Sequence, residues 1–274
     1  MKHKLRLLTA ALFWMAIATA GRAETNSHRL WWPVGEQLTY NIYWGVIPVG
    51  YTHVTTGWLE TNGEKRIFIR FRTRSNKVLA KLYPVDDRLE AIINPDTFLP
   101  DRFSKLLREG GYRCDEVTTF DHEKRMATWT SNLTRKKKEF PIDPDTRDIV
   151  TFLYYLRSKQ FEPWSTNKYR VMADERLYDL WVESEEVETL RLGDYGQVPS
   201  LRFEPEAAFG GVFVRKGKMW IWVSRDERHL CTKIAARVPV ASITLLLAEV
   251  SGPGEDFWMQ ATRKHEREES ERRP

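Results

Sequence analysis

The strongest constraint on this chain is a period of two. Leu38, Tyr40, Ile42 and Trp44 alternate with Gln37, Thr39, Asn41 and Tyr43; Ile67, Ile69 and Phe71 alternate with Arg66, Phe68, Arg70 and Arg72. Leu89, Ala91 and Ile93 repeat the pattern, as do Tyr178, Leu180 and Val182. Successive side chains of a strand point to opposite faces, so such alternation lays one face on a core and turns the other to solvent. Turn chemistry agrees. Asn62-Gly63 between 51–60 and 65–73 is the strongest short hairpin signal. Gly217 predicts a second hairpin between 212–215 and 219–224. About ten to twelve strands are expected.

One segment breaks the period. From Asp145 to Lys159, Ile149, Phe152, Leu153 and Leu156 fall at helical spacing. Asp145 or Thr146 is placed to cap it, Asp148 to lie in its first turn, and Arg157 and Lys159 in its last. That predicts a helix of about four turns. A lone helix within a run of strands implies a mostly β fold: a strongly curved antiparallel sheet or open β-barrel with one helix packed against it.

The two ends of the chain differ from the rest. Lys2, Lys4 and Arg6 precede an apolar run from Leu7 to Ala20, and Gly21-Arg22-Ala23 offers small residues for cleavage. This is the pattern of a secretory signal peptide over 1–23, too short for a spanning helix. The expected location is the periplasm. Removing those residues takes four of the 43 basic residues and no acid, so 39 face 38 acidic ones and the net charge falls from +5 to +1. Nucleic acid is therefore not an expected partner. Residues 24–32 read as a lead-in, 33–252 as a single β-rich domain, and 253–274 as a charged, flexible tail. No transmembrane span is expected after cleavage. Val238–Val250 is apolar but short, which fits a late buried strand.

Catalytic and metal motifs are missing. No His stands in H-E-x-x-H or beside a Cys at ligand spacing, and no P-loop, G-x-G-x-x-G or G-x-S-x-G occurs. No metal or cofactor is expected. Phe120-Asp121-His122-Glu123 reads as a turn or strand end. Ser165-Thr166-Asn167-Lys168 matches S-x-x-K without the helix that would bring Lys to Ser. Asp86, Asp87, Asp143 and Asp145 lie by prolines, the usual place of solvated turn acids, although two facing carboxyls would suit a glycan hydrolase. Arg66, Arg70, Arg72 and Arg74 form a ladder and 135–138 a basic run, read as ordinary charged surface. Cys114 and Cys231 admit a disulfide across a long loop, or two buried free thiols.

Aromatic residues are the remaining signal. Trp220 and Trp222 share a strand face opposite Met219, Ile221 and Val223. Such a strand is either central and covered on both sides, or lines a hydrophobic cavity on one.

The order of landmarks resembles a bacterial family, domain of unknown function 3108. It runs through Pro33-Val34-Gly35-Glu36-Gln37-Leu38-Thr39-Tyr40, Ile42-Tyr43-Trp44-Gly45, Val49-Gly50, Phe103, Glu109-Gly110, Tyr112 and Phe120-Asp121. It continues with Asp148, Phe152, Tyr154-Tyr155-Leu156-Arg157, Gly217, Trp220-Ile221-Trp222, Asp226 and Arg228. The resemblance covers roughly 33–250. It implies an exported bacterial protein with a curved, mostly antiparallel β fold and no established reaction. By fold analogy alone it is similar to periplasmic lipoprotein carriers, whose sheets hold acyl chains under a helix.

Three functions remain in view. The first is a non-enzymatic periplasmic protein holding a lipid, acyl chain or other apolar ligand in a cavity lined by Tyr40, Ile42, Trp44, Ile67, Ile69, Phe71, Trp220 and Trp222. The second is an assembly factor binding an envelope protein through a sheet edge or the tail. The third is a hydrolase of envelope glycans.

Overall fold

The computed structural model describes residues 30–173, 175–209, 212–213, 218–238 and 241–254. The expected leader, the start of the lead-in and nearly all of the charged tail lie outside them. Eight strands come first: β1 (Gln37–Trp44), β2 (Ile47–Thr61), β3 (Glu64–Ser75), β4 (Asp86–Ile93), β5 (Pro100–Glu109), β6 (Tyr112–Asp121), β7 (Met126–Ser131) and β8 (Lys137–Pro141). They run up and down, each beside its predecessor. Then follow β9 (Arg147–Asp148), α1 (Ile149–Leu156), β10 (Thr166–Ala173), β11 (Arg176–Leu192), β12 (Gly196–Phe209), β13 (Val212–Phe213), β14 (Lys218–Ser224), β15 (Cys231–Val238) and β16 (Ala241–Ser251). β16 pairs antiparallel with β1, Gln37 facing Ser251, and so joins the two arms. The result is one 16-stranded sheet whose edges are β8 and β9.

The sheet does not close by backbone pairing. Its edges meet through ions, with Lys138 of β8 bound to Glu175 and Arg170 Nε of β10 lying 3.1 Å from Asp143. The chain itself crosses this seam at 142–146 on its way from β8 to β9. Alternation of strand direction gives two ends. The lower end carries the β2–β3, β4–β5 and β14–β15 turns, and the upper end the β1–β2, β3–β4 and β5–β6 connections.

Local chemistry explains most elements. Asn62 and Gly63 both adopt positive φ (53° and 77°) between Thr61 and its partner Glu64, the two-residue turn that matches strand twist. The strand count exceeds the expected ten to twelve, partly because β9 and β13 have two residues each. The expected Gly217 hairpin is corrected. Val212–Phe213 pairs with Ala208–Phe209, because the neighbours of β14 are β12 on one side and β15 on the other. Gly217 itself lies outside the described residues.

The helix is shorter than expected, two turns rather than four. Arg147 and Asp148 are drawn into a parallel bridge with Val171 and Met172. Asp148, not Asp145 or Thr146, is therefore the cap, accepting from Val150 N at 2.8 Å and Thr151 N at 3.0 Å. Thr151 Oγ1 donates to its other oxygen at 2.5 Å. Burial pushes the Asp148 carboxyl up to about 6 despite those bonds.

Two cores result. One takes the inward faces of β1–β7 and β16, including Leu38, Ile67, Ile69, Ile93 and Leu247. The other sets Phe152 and Leu156 of α1 against Val182, Leu201, Phe203 and Ile221. Aromatic rings fill the lower end. Phe98, at φ 55°, meets Trp31 at 4.5 Å and Trp32 at 5.1 Å, and Trp32 meets Tyr154 at 5.1 Å.

Candidate functional site

Beneath those rings lies a buried ionic clasp. Glu36, just before β1, is held by its carbonyl, which accepts from Thr56 N at 3.1 Å. Its carboxylate receives Arg157 Nη1 at 2.7 Å and Nη2 at 3.0 Å, a two-pronged pair, and Arg228 Nη2 at 2.5 Å. Arg157 also donates to the Arg228 carbonyl, and Arg228 Nη1 to the Gly254 carbonyl at 2.8 Å. His229 Nδ1 donates to the Arg157 carbonyl at 2.8 Å. All three charged groups are buried. Burial alone would raise the Glu36 carboxyl. The charges and hydrogen bonds of Arg157 and Arg228 outweigh it and hold the carboxyl below its usual range. The clasp thus ties the start of β1, the end of α1, the β14–β15 turn and the exit of β16.

Beside Arg157 the interior leaves a cavity of about 30 Å³, which Tyr40, Phe71, Tyr154 and Cys231 help to line. That holds a water or two, and no acyl chain. Tyr40 donates to the Cys231 carbonyl at 2.8 Å. The Tyr154 hydroxyl lies by the Arg157 guanidinium and forms no well-aligned hydrogen bond among the described residues. Burial raises both phenols, and pushes the Cys231 thiol up to about 12 and the Cys114 thiol to about 11. The Cys114–Cys231 bridge is corrected: both thiols are free. Six strands separate β6 from β15 in the sheet order.

The larger space is outside the core. A cleft of about 790 Å³ opens at the lower end between the lead-in, the β2–β3 hairpin and the β4–β5 turn. Leu30, Trp32 and Trp58 give it apolar walls, and Lys65, Arg66 and Asp96 a charged rim. Lys65 Nζ sits 4.0 Å from the Trp58 ring centre. Arg66 is fixed by Asp101 and Glu64. Trp32 is 2% exposed, and its indole N–H has no partner among the described residues.

The eight residues read from sequence as lining separate into four settings. Ile67 and Ile69 are fully packed core. Tyr40 and Phe71 reach the small cavity. Ile42 is half-buried and Trp44 is 52% exposed near the upper end. Trp220 and Trp222 face away from Ile221 and Val223, under an ionic lattice. Trp220 Nε1 donates to Glu204 at 2.9 Å and Trp222 Nε1 to Glu188 at 3.0 Å, with Lys233 over the Trp222 ring.

The weaker motifs dissolve into ordinary contacts. Ser165 Oγ bonds Ser184 Oγ, while Lys168, on a strand, pairs with Asp179. His122 stacks on Phe120 and bonds the Pro100 carbonyl. Arg66, Arg70, Arg72 and Arg74 each meet a carboxylate. Asp86 serves Arg72 and Arg74, and Asp143 pairs with Arg170. Asp87 touches Glu109, whose carboxyl is raised by burial and by that contact. Carboxyls in direct contact leave no room for a sugar or water between them. No described helix is long and apolar enough to cross a membrane.

Sequence reasoning missed the clasp and the cleft. Glu36, Arg157 and Arg228 were visible as landmarks, but a buried charge is recognised by partners, here 121 and 192 residues away.

No curated protein matches the chain. Among solved structures it is similar to a β-barrel-like protein of domain of unknown function DUF1849 from Brucella abortus. The match has a TM-score of 0.54 and 8% identity, covering 80% of this chain and 97% of that one. At that identity the likeness is one of fold. The family model described as protein of unknown function (DUF3108) matches residues 39–248, most of the chain and all of the sheet but the start of β1 and the end of β16, so the chain belongs to the DUF3108 family.

Proposed function

We infer that this is an exported, non-enzymatic protein that binds an amphipathic ligand in the lower cleft. The apolar part of the ligand, an acyl chain or similar tail, lies against Leu30, Trp32 and Trp58, and its anionic or polar head meets Lys65. The observation that carries this is the cleft itself. Its volume of about 790 Å³ falls within the range of small-molecule sites, and its apolar walls with a charged rim suit a ligand of divided character. The leader supports export to the periplasm. An interior cavity of only about 30 Å³ favours a ligand at the mouth of the curved sheet over one in its core, the place expected from sequence.

The sheet-edge version of the assembly-factor reading is less favoured. Edge strand β8 presents Lys137, Lys138 and Glu139 to solvent, and β9 is two residues long, both devices that discourage strand addition.

Native mass spectrometry of the purified protein, followed by solvent extraction, tests the proposal. A stoichiometric co-purifying lipid is expected. Trp58→Ala should weaken binding of a fluorescent fatty-acid probe about tenfold, the scale of losing one aromatic wall. A clean apo mass together with no probe binding would remove the reading.

A further inference from the structure

Exposed apolar side chains concentrate at the end opposite the cleft. Val46 is 91% exposed and Ile47 62% at the β1–β2 turn, and Val78 is 77% and Leu82 86% exposed in the β3–β4 connection. Exposed aromatic residues stand at the same end: Trp44 at the end of β1, Tyr83, and Tyr112 at the start of β6. Among the described residues these aliphatics gain little packing.

The tips form one surface because the loops are tied sideways. Asn76 N donates to the Val49 carbonyl at 2.8 Å and Asn76 Nδ2 to the Pro48 carbonyl at 2.6 Å, fastening the β3–β4 connection to β2. Asn76 Oδ1 accepts from Val78 N and Leu79 N, which sets the Val78 turn. Gly110 N donates to the Pro84 carbonyl, and the Tyr83 ring packs so close to Gly110 that a Cβ there would lie 2.7 Å from it. Gly45 N donates to the Ser242 carbonyl, tying in β16.

The fully exposed charges of the β3–β4, β5–β6 and β7–β8 connections are cationic. Lys77, Lys81, Arg108, Arg113, Arg135 and Lys136 are exposed. The acids of these connections are half-buried, and Glu109 lies against Asp87. Asp86 is held by Arg72 and Arg74, Asp87 accepts from Arg108 N at 2.8 Å, and Asp115 accepts from Asn132 Nδ2 at 2.7 Å. Exposed aliphatic tips that share their connections with aromatic rings and cations carry the residue types of a protein that enters a lipid interface.

We propose that the upper end docks on an anionic phospholipid bilayer, with Val46, Ile47, Val78 and Leu82 inserted and Lys77 and Lys81 on the headgroups. Protruding tips favour a flat fluid surface over a peptide, which needs a groove. The proposal stands apart from the ligand reading, since it uses none of the cleft residues.

Co-sedimentation with phosphatidylcholine vesicles, with and without phosphatidylglycerol, tests it. The protein is purified from its host, with mass spectrometry confirming the same N-terminus for every variant. Wild type should pellet with the anionic vesicles only, and less so as salt rises. Val46→Asp with Leu82→Asp, and separately Lys77→Glu with Lys81→Glu, should each lower partitioning about tenfold or more. Their melting curves should match wild type, and the single Leu82→Ser serves if a double variant misfolds. Wild type left in the supernatant with anionic vesicles, or variants that pellet like wild type, would overturn the proposal. So would equal binding to neutral vesicles. A dimer in the absence of lipid that the Val46/Leu82 variant dissociates would also overturn it, giving the surface to a second copy of the chain.

Discussion

The two ends of this open barrel solve the same problem in opposite ways. Both are where strands stop and backbone pairing runs out. At the lower end the interior is closed off beneath the cleft: Trp31, Trp32 and Phe98 plug it, and Glu36, Arg157 and Arg228 lock four segments together beneath. The upper end is left unsealed, with aliphatic tips in solvent. Burying two arginines and one glutamate is costly unless each finds partners, and the reward is one fixed arrangement. Val46 and Leu82 leave apolar surface in water, which the proposed membrane contact would cover. The lower end therefore concentrates buried stabilising contacts, and the upper end leaves apolar surface exposed.

The difference breaks most visibly at Glu36. Glu36→Gln removes the charge that both guanidinium groups share and leaves them buried together. The expected loss is about 3–5 kcal/mol, read as a lower midpoint in urea at unchanged slope. A loss under about 1 kcal/mol would mean that water already reaches the clasp, and the contrast between the ends would fail.

Acidity sharpens the contrast within the sealed half. The Glu36 carboxyl is held below its usual 4.5, so its contribution is present above that value and is lost as pH falls through the lower, folded value. Asp148 runs the other way. Its carboxyl is raised from 3.8 to about 6, so the folded state is favoured with the proton on, below about pH 4, and that benefit is lost as pH rises through about 6. Asp148→Asn keeps an oxygen for the Val150 and Thr151 N–H groups and removes the titration. Between about pH 4 and about pH 7, wild type should lose on the order of 2–3 kcal/mol relative to this variant, measured by denaturation at each pH. Parallel curves would show that the carboxylate is better solvated than its burial implies.

These two clusters also mark where sequence stopped being informative. Alternation at 37–44 and 66–72, and the Asn62-Gly63 turn, set strands and a hairpin because their signals are local. The helix was legible from Ile149, Phe152 and Leu156, but its start was not. Pairing of Arg147 with a strand 24 residues later took the first turn away, and that is a tertiary effect. The aromatic strand of Trp220 and Trp222 had the right two-faced pattern. Which face met the core and which met Glu188 and Glu204 depended on β11 and β12, which no spacing within the strand encodes. The lower cleft was illegible for the same reason: Leu30, Trp58, Arg66 and Asp96 belong to three separate segments.

The smallest expected effect tests the other end. Leu82→Ser at the most exposed part of the β3–β4 connection should change stability by no more than about 0.5 kcal/mol, because the side chain gives up almost no packing. A transition in urea that overlays wild type would keep stability and contact on separate ends. A loss above about 1 kcal/mol would show that Leu82 packs on neighbouring chain in the folded protein. The upper end would then be a second seal, and its apolar tips would need no membrane to explain them.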